Sequence, residues 1–353
     1  MRLLIATDAW HPQINGVVRT YERLAAELTR LDVDVAFLTP SDFRTIPCPT
    51  YPEIRLALPR AGLIGSRFAA HRPHAVHIAT EGPVGWMARR YCRTHARPFT
   101  TSFHTRFPDY VSQRTGIPPS WSWSLERAFH NAGAGMMVAT PSLAAELDRR
   151  GFTRILPWTR GVDTTLFRPR PARRFGAGPV FLYVGRVAIE KNLEAFLALD
   201  LPGRKVVVGD GPALPALRAT YPTTHFEGRV AGEALAECYA SADVFVFPSR
   251  TDTFGMVLLE AMASGLPIAA YPVTGPVDLV QPGVNGVLSS DLGEAARRAL
   301  TLDRSVIRRM AMSYSWDAAA RMFLANIENV LGAVPGRRQN QQRFASVRPA
   351  RPA

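Results

Sequence analysis

The residues best equipped for chemistry lie just after runs of apolar residues. Tyr183–Val184–Gly185–Arg186 closes one such run, and Glu190–Lys191–Asn192 opens the helical pattern behind it. Arg186 and Lys191 are therefore expected together at the carboxyl end of a strand. Arginine offers a rigid fork of donors and lysine a mobile point charge, a combination suited to a departing diphosphate. Solvated surface charge is the alternative. His104 follows the apolar TTSF run, where an imidazole can bond a sugar hydroxyl or a developing charge, or simply be a satisfied polar residue at a strand end. No Ser/Asp arrangement near it makes a hydrolase base, and no two carboxylates form a glycosidase acid/nucleophile pair. Gly16 sits between the first apolar run and a helical pattern. There it permits close backbone approach or a left-handed turn, and the following amides can face phosphate. Gly209 and Gly211 flank Asp210 after another apolar run, giving a nucleoside access to backbone or merely an ordinary turn. Finally, TDTFGMVLLEAMASG places Asp252 in a strand-exit loop and Glu260 about two helical turns further on.

These residues need elements to hold them. RLLIATDA, VDVAFLTP, HAVHIAT, RPFTTSFHT and GMMVATP read as strands, separated by segments with helical spacing such as GVVRTYERLAAELTRL and PVGWMARRYCRTHA. The pattern repeats after the proline- and arginine-rich stretch VDTTLFRPRPARRFGAGP with PVFLYVGR, KVVVGDG, ADVFVFPS and LPIAAYP. Alternating strands and helices predict an α/β protein built on mostly parallel, helix-covered sheets. The boundary is expected within residues 168–178, giving domains 1–170 and 171–320. WDAAARMFLANIENVL suggests a helix crossing back to the first domain, within 321–335, before a flexible basic tail at 336–353. A cleft between two such halves is the default ligand site.

With 353 residues and 47% hydrophobic content, the chain can form two ordinary cores. Cys48, Cys92 and Cys238 make no CxxC pair, consistent with a reducing compartment. His71, His74 and His77 are interrupted by Pro73, so they do not form a helical metal face. There is no signal-peptide pattern and no apolar run of about 18 residues. The net charge is +13, and Arg55 to Arg97 holds eight arginines against the single acid Glu81. Such a field can draw an anionic phospholipid surface, nucleic acid or an acidic substrate. No nucleic-acid-binding module accompanies it, and nucleic acid is not expected as a partner. Leu63, Ile64 and Phe68, interleaved with Arg60 and Arg67, suggest a shallow membrane contact.

HPQINGVVR, SFHTRFPDY, TRGVDTTLF, GRVAIEKN, ASADVFVFPSRTDTFGMVLLEAMASG and AAYPVTGPVDL, in that order, resemble the retaining GT-B glycosyltransferases of family 4. Within that family the chain is similar to bacterial mannosyl-, sulfoquinovosyl- and diacylglycerol-sugar transferases, over roughly residues 1–330. The resemblance implies two Rossmann-like domains facing across a central cleft. It implies a UDP- or GDP-sugar donor, no cofactor and no required metal. Asp252, where the family usually has glutamate, would face the transferred sugar, and Glu260 would accept from the ribose hydroxyls. His104 would touch the sugar, while Arg186 and Lys191 would neutralise the leaving group. Gly16, Gly185, Gly209, Gly211, Phe254 and Gly255 would line donor or substrate. Arg160 stands where asparagine often precedes GVD and would contact phosphate. The expected reaction is hexosyl transfer to an acceptor hydroxyl, with a membrane lipid such as diacylglycerol as acceptor. The alternatives are GDP-mannose-dependent mannosyl transfer to a lipid or soluble glycan, and non-catalytic sugar-nucleotide binding. The expected location is cytoplasmic, at the inner face of the cytoplasmic membrane, without an obligate protein partner.

Overall fold

The computed structural model describes residues 1–13, 16–48, 51–58, 60–107 and 118–332. The chain divides into two compact units. One comprises Met1–Arg160 with the helix Trp316–Gly332, and the other comprises Gly161–Ser315. Each is a parallel sheet flanked by helices, as the alternating pattern predicts.

The first unit contains β1 (Arg2–Ala6), β2 (Asp34–Leu38), β3 (Thr45–Cys48), β4 (Tyr51–Ala57), β5 (Ala75–Ile78), β6 (Thr100–Phe103), β7 (Gly135–Val138) and β8 (Ile155–Pro157). Six of these form a parallel sheet in the order β2-β1-β5-β6-β7-β8, while β3 and β4 pair antiparallel beside it. β5, β6 and β7 are buried along their whole length, the signature of central strands covered on both faces. The helix Trp316–Gly332 closes this core from the far end of the sequence. Phe323 and Ile327 pack with Tyr21, Leu24, Leu28 and Trp158. Two side chains pin the helix to β8 and the residue after it. Trp158 Nε1–H donates to Ala319 O at 3.1 Å, and Asn326 Nδ2–H donates to Pro157 O at 2.8 Å.

The second unit contains β9 (Val180–Val184), β10 (Arg204–Val208), β11 (His225–Gly228), β12 (Val244–Phe247), β13 (Ile268–Ala270) and β14 (Gly286–Leu288), in the order β11-β10-β9-β12-β13-β14. β9 and β12 read VFLYV and VFVF and are wholly buried. The unit begins at Gly161, upstream of the proline- and arginine-rich stretch, because that stretch is docked rather than spanning. Val162 N–H donates to Tyr314 O at 3.0 Å, and Phe167 meets the Tyr239 ring edge-on. Arg174 bridges Glu227 and Glu237 at 2.5 and 2.9 Å, while Arg170 reaches Glu233 at 2.6 Å.

Strands β8, β11 and β14 were not legible in the sequence. They are three or four residues long and lie at sheet edges, so they need no long apolar run. The sequence expectation for Leu63, Ile64 and Phe68 requires correction. On the helix Ala61–His71, Ile64 and Phe68 are 1% and 2% exposed and belong to the core with Val84 and Phe99; only Leu63 faces outward. The helix buries its apolar residues in its own unit, and Arg67 pairs with Asp42.

Candidate active site

In an open parallel sheet, ligands gather beyond the carboxyl ends of the strands where the order reverses direction. In the second unit that point lies between β9 and β12, since the chain runs from β9 to β10 on one side and reaches β12 on the other. The exit of β9 carries Gly185 and Arg186, followed by a 3₁₀ turn, Ile189–Lys191. Lys191 therefore ends a tight turn instead of opening a regular helix, which begins at Leu193. Tyr183 Oη–H donates to Arg186 O at 2.9 Å, and Asn192 Nδ2–H donates to Pro248 O at 3.1 Å, tying the two strand exits together. Across this tie Lys191 Nζ meets Asp252 Oδ1 at 2.6 Å, with both side chains about one-fifth exposed (20% and 19%).

The loop after β12 is short of partners. Ser249 Oγ, Thr251 Oγ1 and Asp252 Oδ2 are shielded from water without a hydrogen bond. Native proteins rarely leave buried polar atoms unmatched, so three in one short loop set this segment apart. Behind them Gly255 (φ +82°) leads into the helix Met256–Ala263. Phe254 is buried, so a ligand would meet its backbone rather than its ring. Glu260 is buried too, and accepts a bond from Tyr239 Oη–H at 2.7 Å.

Gly209 and Gly211 have a structural role. Gly209 has φ +144°, and a Cβ there would stand 1.9 Å from Gly185 O, while one on Gly211 would stand 2.3 Å from Val187 O. The exits of β9 and β10 pass backbone to backbone, with Val187 N–H donating to Asp210 O at 2.9 Å. This packing accounts for both glycines without a ligand.

In the first unit, His104 follows β6 and engages both ring nitrogens. Arg160 donates to Nδ1 at 3.1 Å, and Nε2 lies 2.8 Å from Tyr21 Oη. Tyr21 Oη in turn lies 2.8 Å from His77 Nε2, and His77 Nδ1 lies 2.8 Å from Thr100 Oγ1. Since Nδ1 of His104 accepts from Arg160, its Nε2 carries the proton and donates to Tyr21. Tyr21 can then donate to His77, and His77 to Thr100. Burial, then the Arg160 charge, holds His104 well below the usual imidazole range, and the same causes push His77 down to about 3. Arg160 is itself buried: it donates to Trp158 O at 2.8 Å and lies 3.9 Å over the Trp158 ring. Burial lowers its pKa to about 10, which leaves it charged at neutral pH.

A neutral His77 has a consequence for acid stability. Between pH 6.5 and 3 the unfolded chain takes up a proton that the folded one refuses, so this contribution to stability is lost as pH falls through that window. The His77 Cε1–H resonance, identified by its absence from a His77→Gln spectrum, should stay flat from about pH 7.5 to about pH 4.5. A sigmoid centred near the ordinary imidazole value would contradict the buried, uncharged assignment.

Gly16 opens the helix Gly16–Arg30, and a Cβ at this position would meet nothing within 4 Å, which leaves room for backbone approach. Ile14 and Asn15 lie outside the described residues, as do residues 333–353. His71, His74 and His77 separate: His71 Nε2 lies 3.2 Å from Leu3 O, His74 Nδ1 accepts from Arg2 N–H, and His77 joins the buried chain. Tyr21, Ser249 and Thr251 went unsuspected, because each sits in a stretch that reads as helix or loop and gains its meaning from distant partners.

Two parallel-sheet α/β units, the second with a lysine–aspartate ion pair in a polar loop at its switch point, define a GT-B architecture of the kind that handles nucleotide sugars. The family described as Glycosyltransferase Family 4 matches residues 14–166, and that described as Glycosyl transferases group 1 matches residues 178–303. The chain belongs to this family of glycosyltransferases and is an enzyme of glycosyl transfer. A GDP-mannose-dependent alpha-mannosyltransferase from Mycolicibacterium smegmatis is 30% identical over 94% of this chain and 98% of its own. The sulfoquinovosyl transferase SQD2 of Arabidopsis thaliana is 31% identical over 78% of this chain, a match spanning only 60% of the plant protein. Sucrose-phosphate synthase from Thermosynechococcus elongatus shares the fold, with a TM-score of 0.76 at 21% identity over 94% of this chain and 100% of that one.

Proposed function

We propose that the enzyme transfers a hexosyl group from a UDP- or GDP-sugar to a lipid hydroxyl, such as that of diacylglycerol, with retention of anomeric configuration. The observation that carries the donor assignment is the loop after β12: the buried, unpartnered hydroxyls of Ser249 and Thr251 beside the Lys191–Asp252 pair, whose second carboxylate oxygen is also unpartnered. Arg186 and Lys191 take the diphosphate charge as it develops, so the protein's own cations serve the leaving group. Asp252, Ser249 and Thr251 take the sugar hydroxyls. Glu260, oriented by Tyr239, takes the ribose. His104, in the first unit and uncharged, is suited to take a hydroxyl by exchanging one of its two ring-nitrogen partners.

In the transfer step the bond between the anomeric carbon and the phosphate oxygen breaks as the bond to the acceptor oxygen forms on the same face. The departing phosphate receives the acceptor proton. The charge is balanced without an enzymic nucleophile.

The lipid acceptor is supported by the names of relatives and by charge. Relatives include the sulfoquinovosyl transferase and, at 26% identity, an alpha-monoglucosyldiacylglycerol synthase from Streptococcus pneumoniae. Among the described residues no helix is long and apolar enough to cross a membrane. Attachment at the inner face of the cytoplasmic membrane would instead rest on exposed Arg60 and Arg72, with Trp121 and Leu125 (64% and 45% exposed) one turn apart on another helix. Mannosyl transfer from GDP-mannose is the second reading, favoured by the near-full-length match to the mycobacterial enzyme.

The test is mass-detected transfer from a panel of UDP- and GDP-sugars into anionic liposomes containing diacylglycerol, with soluble sugar acceptors in parallel. A new α-linked glycolipid, its configuration read from the anomeric proton coupling, is the expected product. Product on soluble acceptors alone would reject the lipid, and an inverted linkage would reject retention.

A further inference from the structure

Away from the loops already discussed, the first unit buries two carboxylates and an imidazole against one another. Glu126 and His130 sit one turn apart on the helix Pro119–His130, and Glu81 comes from the loop after β5. His130 Nε2 lies 3.1 Å from Glu81 Oε1 and 3.4 Å from Glu126 Oε2, and a ligand atom from each residue lies within 4.8 Å of the others. The side chains are 0%, 7% and 10% exposed. Despite this crowding, none of the three facing atoms makes a well-aligned hydrogen bond. The other ring nitrogen, Nδ1, lies 2.8 Å from Thr101 Oγ1. When Nδ1–H donates to that hydroxyl, Nε2 turns a lone pair towards the two carboxylates.

Three electron-rich atoms then converge in a buried space with no donor between them. Two ionised carboxylates and a neutral imidazole carry two negative charges, which a dry interior does not tolerate uncompensated. Either two protons or one divalent cation restores balance. We infer that Glu81, Glu126 and His130 form a divalent transition-metal site, suited to Zn²⁺, that ties the loop after β5 to the helix Pro119–His130.

Zinc bonds to nitrogen and oxygen of about 2.0–2.2 Å in a tetrahedron place neighbouring ligand atoms about 3.3–3.6 Å apart. The separations of 3.1 and 3.4 Å to Nε2 are close to that spacing. An imidazole among the ligands favours zinc over calcium or magnesium, and Thr101 supplies the outer partner that a metal-bound histidine commonly has. Three protein ligands leave the fourth position to water.

The rival occupant is the proton. Without a cation, burial and then Glu126 push Glu81 up to about 7. Burial alone would lower His130, yet its contacts with Glu126 and Glu81 outweigh this and raise it to about 9. A protonated cluster would therefore be self-consistent, and the experiment must separate the two.

The full chain, stripped with chelator and dialysed, is offered Zn²⁺, passed through gel filtration and assayed for bound metal, with the thermal midpoint read alongside. About one zinc per chain should survive filtration and raise the midpoint. Glu81→Gln and Glu126→Gln, which keep side-chain volume, should each weaken zinc binding by at least about tenfold. Loading the wild type with Co²⁺ should give the visible bands of a four-coordinate ion, a readout that stands even where a variant fails to fold. Wild-type protein that emerges without zinc and with an unmoved midpoint overturns the site in favour of shared protons. Zinc held equally by both folded variants also overturns it, since the ion would then sit on other histidines.

Discussion

Replacing Lys191 by alanine should lower kcat for glycosyl transfer by about 10² to 10³, the cost of removing one preorganised group that stabilises transition-state charge. The ammonium sits 2.6 Å from Asp252 at the switch point of the second sheet. In the proposed reaction the diphosphate gains charge only as the anomeric bond breaks, so the loss should fall on kcat more than on KM. Lys191 also neutralises Asp252, and this second role is separable. Asp252→Asn tests it without removing the cation, and the Lys191→Ala/Asp252→Asn double variant should lose less than the product of the single losses because the residues share one contact. Initial rates of nucleoside diphosphate release from each variant make the measurement. A Lys191→Ala enzyme within about threefold of wild type would remove the lysine from the leaving-group role.

The second large effect concerns stability. Phe323 is fully buried, packs 4.9 Å from both the His77 and Trp158 rings, and belongs to a helix that follows the whole second unit in sequence. Phe323→Ala should destabilise the first unit by about 3–5 kcal/mol through lost burial and the cavity left behind. All six tryptophans (Trp10, Trp86, Trp121, Trp123, Trp158 and Trp316) lie in that unit, so tryptophan fluorescence in a urea titration reports it selectively. A change below about 1 kcal/mol would mean that the helix lies on the unit without completing its core. The same substitution removes the ring beneath His77, and the flat His77 titration expected of the wild type should begin to bend as water enters.

These expectations draw unequally on the sequence. The apolar runs RLLIA, TTSF, VFLYV and VFVF announce buried parallel strands because central strands are covered on both faces, and the structure places all four inside sheets. The apolar pattern of the segment Ala61–His71 misled for an equally physical reason. Apolar residues on an amphipathic helix read the same whether they meet a core or a membrane, and here Ile64 and Phe68 meet the core. The glycines at 209 and 211 were legible as special, yet what they approach is the neighbouring strand exit.

By itself the sequence determined the two α/β units, the order of family motifs, and the placement of Arg186, Lys191 and Asp252 at strand exits. Those features are carried by periodicity and spacing among near neighbours. Only the tertiary structure decided that Lys191 meets Asp252 across 61 residues, that Arg160 occupies one nitrogen of His104 across 56, and that Glu81 faces Glu126 and His130. Parallel sheets bring together the exits of strands remote in the chain, and the helices between them fill that distance with residues that bear no trace of the meeting.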